Sequence, residues 1–186
     1  MCDSDNADFI VDTSVTRRSV IVGLSSVAAA ASLPAAARAA RVVETDVMVT
    51  TPDGQADAVL FHPVGRGAWP AVLLWPDILG LRPVFREMGR RLAAQGYAVL
   101  VPNPFYRARR APIVTGPFDF ADKAAMGKLM ELKATLTDAR VDSDTMAYIG
   151  FLDQQKPVDR RKGVGVQGYC FSGPYTIRAA ALLPKR

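Results

Sequence analysis

The chain has 186 residues, 49% of them hydrophobic and 22% charged, with 14 Gly, 13 Pro and a net charge of +5. These proportions suit one globular domain and exclude a disordered chain, a collagen-like repeat and a disulfide framework. Two Cys and a single His are too few for a multi-ligand zinc or haem site, so no metal or cofactor is expected. The mild, scattered positive charge points to no nucleic acid.

Residues 1–39 are expected to be an export leader rather than part of the fold. Thr16-Arg17-Arg18-Ser19 sets paired arginines ahead of an uncharged run from Val20 to Leu33. That run is shorter, and richer in small residues, than the ~20 apolar residues of a membrane span. Ala37-Arg38-Ala39 then offers small residues at the two positions a signal peptidase reads. The segment resembles a twin-arginine signal, although Asp3, Asp5, Asp8 and Asp12 precede the arginines. The resemblance implies the twin-arginine export machinery as a partner and an exported, periplasmic or secreted location. It also implies no stable membrane insertion after cleavage; an uncleaved N-terminal anchor is the alternative. Losing the leader removes Cys2 and leaves Cys170 as the one thiol, so no internal disulfide is possible.

Residues 40–186 alternate strand and helix signals. Arg41 to Val49 has partial period-2 character and meets a turn signal at Thr51-Pro52-Asp53-Gly54, after which Ala56 to His62 reads as the return strand of a hairpin. Ala71 to Trp75 is a continuous apolar run, as in a strand covered on both faces. A helix follows. Pro83 suits its first turn, Phe85, Met88 and Leu92 share one face, and Gly96 stops it. Tyr97 to Val101 is the next buried strand, closed by Pro102. The Pro- and Arg-rich stretch from Asn103 to Pro117 reads as a loop. Helical pattern resumes near Phe120 and strengthens from Asp138, where Val141, Thr145, Tyr148, Ile149 and Leu152 share a face; Pro157 marks its end. Val164 to Gln167 reads as a third buried strand and Pro174 to Leu183 as a helix. Such alternation means an α/β fold with a parallel sheet and crossover helices.

Chemistry concentrates where the third strand meets its helix. Gly168-Tyr169-Cys170-Phe171-Ser172-Gly173 has the pattern of a nucleophile elbow, with Cys in place of the usual Ser. The turn is so tight that the residues two positions either side of the nucleophile must be small, and Gly168 and Ser172 stand there. Gly173 is expected to relieve the next position. The turn aims the Phe171 amide at a developing oxyanion. A buried structural Cys is the plain alternative. Gly163-Val164-Gly165-Val166-Gln167-Gly168 also matches G-x-G-x-x-G, but a dinucleotide fingerprint needs its strand before the first Gly, and here the apolar residues lie inside the motif.

With the elbow, Pro76-Asp77-Ile78-Leu79-Gly80 after the first buried strand, and Tyr97 to Pro102 followed by an arginine-bearing loop, the chain resembles the dienelactone hydrolase family of α/β-hydrolases. The resemblance runs from about Arg41 to the C-terminus. It implies an α/β-hydrolase fold: a mostly parallel sheet with helices on both faces, incomplete after the elbow helix. It implies that Cys170 attacks the carbonyl of a small-molecule ester or lactone, with the backbone amides of Ile78 and Phe171 as oxyanion hole. Asp77 then stands where the family's glutamate contacts the resting nucleophile, one methylene shorter. Arg107 falls near the family arginine that pairs with a substrate carboxylate; a solvated loop arginine is the alternative. Trp75 and Tyr169 are expected to pack rather than react.

The triad order in this fold is nucleophile, acid, histidine. The 16 residues after Cys170 contain no Asp, Glu or His, and His62 precedes the elbow in the hairpin. Two readings follow: a hydrolase of carboxylic esters or lactones with impaired turnover, or an inactive truncated fragment that needs a partner segment to complete its sheet. A redox role for the lone thiol is a third, weaker one.

Overall fold

The computed structural model describes residues 41–186, so the expected leader lies outside the described residues. In chain order the elements are β1 (Val42–Thr51), β2 (Gly54–Pro63), β3 (Ala71–Trp75), α1 (Pro83–Ala94), β4 (Ala98–Pro102), α2 (Lys123–Ala134), α3 (Asp138–Gln154), β5 (Gly165–Gly168) and α4 (Gly173–Leu182). A 3-10 turn over Cys170–Ser172 joins β5 to α4. The helical stretch expected from Phe120 onward is two helices. Asp122 caps α2 by accepting from the Ala124 and Ala125 amides, and Thr137 caps α3 by accepting from Arg140 N–H.

The strands form one mixed sheet in the order β1-β2-β4-β3-β5. β1, β2 and β4 pair antiparallel, whereas β4, β3 and β5 are parallel. The β3–β4 connection is a crossover through α1, and the apolar runs in β3 and β4 are buried throughout. Alternate side chains serve opposite faces. Leu60, Leu73, Trp75 and Leu100 pack toward Tyr148, Leu152 and Tyr175 of α3 and α4. Val59, Phe61, Val72, Leu74, Val99 and Val101 pack toward Phe85 and Ala93 of α1. Helices therefore cover both faces, as expected for an α/β-hydrolase fold. Gly89 lets α1 approach closely, since a Cβ there would sit 2.6 Å from the Phe61 ring.

One expectation about the sheet is corrected. β5 is not the buried strand its sequence predicts, since its residues are half-buried or exposed. Among the described residues it pairs only with β3 and forms the edge of the sheet. Its run is short, because Gly163 and Val164 precede pairing and Val164 N–H bonds to Arg186 O instead. Since β5 begins at Gly165, no strand precedes the first Gly of the G-x-G-x-x-G match, and the dinucleotide reading fails on context.

Candidate active site

The parallel register aligns the sheet's carboxyl ends. Trp75, the last residue of β3, pairs with Gly168, the last of β5. The chain leaves both strands at the same level, so the segments 76–80 and 169–172 emerge side by side, and the loop after β4 emerges next to them. This is the edge where open α/β sheets place their sites.

Cys170 is the one non-glycine residue with positive φ among the described residues, at 58°, and it is exposed. A side chain there pays backbone strain of order 1–3 kcal/mol, which the surrounding structure must offset. Two contacts hold it. Gly168 lies against the turn: a Cβ would fall 2.2 Å from the Ser172 carbonyl oxygen, so no other residue fits. Ser172, fully buried, accepts the Tyr169 N–H at 2.9 Å and directs its hydroxyl at the carbonyls of Tyr169 (3.0 Å) and Trp75 (3.2 Å). The small residue at this position is therefore also the tie between the elbow and β3. Gly173 does not relieve the turn as expected: it is in the right-handed region, and a Cβ would meet nothing within 4 Å.

The backbone amides of Ile78 and Phe171 have no acceptor among the described residues. Phe171 stacks on Phe105, with ring centroids 5.9 Å apart, and meets Tyr175 edge-on. Trp75 is fully buried, with Tyr148 and Tyr175 edge-on to it. Tyr169 packs edge-on against Phe85.

Two of the expected site side chains have other partners in this structure. The Asp77 carboxylate makes no hydrogen bond to the Cys170 thiol. It accepts both terminal nitrogens of Arg82, at 2.5 and 2.9 Å, and the Leu79 N–H at 3.0 Å. A bidentate guanidinium five residues on outcompetes a thiol as partner, and the spacing alone did not single Arg82 out. Arg107 is paired with carboxylates of the chain itself. Its two terminal nitrogens grip Asp144 at 2.8 Å each, Nε donates to Asp53 at 2.7 Å, and the guanidinium lies over the Tyr106 ring. Asp144 is fully buried; burial raises its carboxyl above the ordinary value despite the opposing pull of Arg107 and Tyr106. Burial also pushes the Tyr106 hydroxyl, which bonds to Asp144 and Thr51, up to about 12.

His62 sits at the other end of the sheet. Its neighbour Phe61 pairs with Val99 near the start of β4, whereas the elbow follows the end of β5. About one strand length separates the two levels, of order 15 Å. Its Nδ1 is 2.8 Å from the Pro63 carbonyl, and its ring stacks on Trp69. No three His, Cys, Asp or Glu side chains group as a metal site would require among the described residues.

A positive-φ residue on a strand-to-helix corner, at the carboxyl end of a parallel β4-β3-β5 core, is α/β-hydrolase architecture. The chain belongs to the dienelactone hydrolase family, whose pattern matches residues 56–185. It is 27% identical to a Methylorubrum extorquens protein provisionally named a carboxymethylenebutenolidase, over 98% of this chain and 62% of that one. It is 27% identical to a carboxymethylenebutenolidase of Rhodococcus opacus over 64% of this chain and 42% of that one. Among solved structures, one called m3DLH aligns with a TM-score of 0.60 and 25% identity, covering 75% of this chain and 54% of that one. A dienelactone hydrolase from Anabaena variabilis aligns at 0.52 and 18%, covering 77% and 59%, a likeness of fold alone. The chain spans about half the length of the curated relatives it matches, between 40% and 62%.

Proposed function

We propose that this chain acts on small carboxylic esters or lactones through the Cys170 thiolate. The observation that carries the reading is the strained, exposed Cys170 with φ 58°. Sulfur attacks the carbonyl carbon, the carbonyl π electrons move to oxygen, and the Ile78 and Phe171 amides receive the oxyanion. Collapse of the tetrahedral species breaks the C–O bond and releases the alkoxide, which takes a proton from water. Each such amide donor contributes about 2.7–4 kcal/mol in comparable acyl-transfer sites. Among the described residues the histidine, His62, is at the far end of the sheet, away from Cys170. An acyl-enzyme with no imidazole beside it deacylates slower by orders of magnitude, so the acetyl group is expected to accumulate.

The test is p-nitrophenyl acetate with the full chain. Nitrophenolate release in a burst is expected, with an acetyl group on Cys170 seen by intact mass, both lost in Cys170→Ala. Equal release from the variant sinks the proposal. The second reading, an inactive piece that requires a partner segment, is favoured by the position of β5 at the edge of the sheet among the described residues; it predicts a folded chain with no acylation. Residues 1–39 we propose to be a twin-arginine leader delivering the folded chain out of the cytoplasm. Replacing Arg17 and Arg18 by Lys should leave the full-length precursor inside cells that export the wild type; unchanged export rejects the leader.

A further inference from the structure

We propose that Phe105 is a positioning residue for acyl transfer, clamping together the two backbone segments that carry the oxyanion amides. This rests on the Cys170 reading above. Strand pairing between β3 and β5 ends at Trp75 and Gly168. Beyond that point the segment with Ile78 and the segment with Phe171 share no ladder. What joins them is the Ser172 hydroxyl on the Trp75 carbonyl and the ring of Phe105. One side of that ring stacks on Phe171, at 5.9 Å between centroids and 22° between planes. Its Cδ2 also lies 3.5 Å from where a Cβ would stand on Gly80, the residue whose N–H closes the turn onto the Asp77 carbonyl. Gly80 has φ 71°, and Ile113 crowds the same point at 3.1 Å, so the turn has no room to drift toward the loop.

The ring can act as a clamp because its own backbone is held on both sides. Before it, Phe105 N–H donates to Asn103 Oδ1 at 3.0 Å. Asn103, fully buried, spends its amide protons on Asp57 and on the Arg109 carbonyl, both at 2.9 Å. After it, the Phe105 carbonyl accepts from the amides of Ala108 and Arg109. Tyr106 and Arg107 then grip Asp144 on α3. Four of the six buried polar residues among those described, Thr51, Asn103, Asp144 and Ser172, belong to this bracket or to the elbow's tie. Buried polar networks that are fully bonded fix one arrangement. Amide donors on two separate segments must be held within about 0.5 Å to act on one oxygen.

The experiment compares two reactions of the same sulfur in the full chain. Acylation by p-nitrophenyl acetate passes through an oxyanion; alkylation by iodoacetamide does not. Phe105→Leu keeps apolar volume and removes the stacking plane. It should slow acylation about tenfold and change alkylation less than about twofold, since a misplacement of order 1 Å carries penalties of up to 10²-fold. Phe171→Leu, which retains the amide, should give the same selective loss, and the double variant no further loss, because both remove one contact. Met130→Leu, an exposed side chain on α2, should leave the ratio of the two rates unaltered. Urea unfolding midpoints verify that each variant is folded. Equal losses in both reactions, no loss in either, or additive losses in the double variant overturn the proposal and leave Phe105 as core packing. A wild-type chain whose Cys170 takes up no acetyl group while still being alkylated overturns the nucleophile reading itself, a result separable from the others.

Discussion

At Gly168, chain geometry admits one residue type. A methyl group there would fall 2.2 Å from the Ser172 carbonyl oxygen, a backbone atom that the elbow fixes. Gly173, five positions on, has open space around it and a helical φ of −50°. The pair separates two reasons for a glycine near a nucleophile. Gly168→Ala should destabilise by about 3 kcal/mol or fail to fold, as overpacking against backbone does. Gly173→Ala should stabilise by about 0.4–1 kcal/mol through a less flexible unfolded chain and better helix propensity. Urea denaturation of the two variants checks this; similar effects from both would mean the turn is looser than described. Phe105 belongs to the same scale, since its ring contacts both segments of the corner.

Among elements, two charge systems tie distant parts of the chain and do so differently. Arg107 and Asp144 fasten the loop after β4 to α3 in a buried, bidentate pair. Glu44 on β1 instead takes Arg86 Nη1 at 2.8 Å and Arg90 Nε at 2.5 Å from α1 at the protein surface. Burial works to raise the Glu44 carboxyl, but the hydrogen bonds from both arginines outweigh it, and the group sits below its ordinary value of 4.5. A lowered carboxyl means the folded state prefers the ionised form, so its stabilisation is present above about 4.5 and disappears as pH falls through the folded value. Wild type should exceed Glu44→Gln by about 0.5–1 kcal/mol at pH 7, the range of partly exposed pairs. That gap should close toward pH 3. Urea midpoints of both proteins at the two pH values measure it, and a gap independent of pH rejects the assignment.

For the whole molecule, the sheet order β1-β2-β4-β3-β5 decides which loops meet. It brings the segments after β3, β4 and β5 to one edge and leaves His62 at the other. Much of this was legible beforehand. The apolar runs of β3 and β4, the Pro83 start and the Gly96 stop are local patterns, each complete within a few residues. The elbow was legible for the same reason: a turn that tight allows only small neighbours, and Gly168 and Ser172 announce it. The family resemblance rested on such local signatures. Side-chain partners were not legible. Asp77 was expected to face the thiol and Arg107 a substrate, yet Arg82 takes the first and Asp144 the second. A charged side chain has several candidate partners of equal chemistry, and the one it takes depends on which segments the fold carries alongside. Asp144 is 37 residues from Arg107, on α3. The amino-acid sequence by itself determined the alternation of strands and helices and the corner that strains Cys170, because both arise from neighbouring residues. Only the tertiary structure decided the pairings of Asp77 and Arg107, the place of Phe105 and the distance of His62, because those depend on strand order and on contacts between segments far apart in the chain.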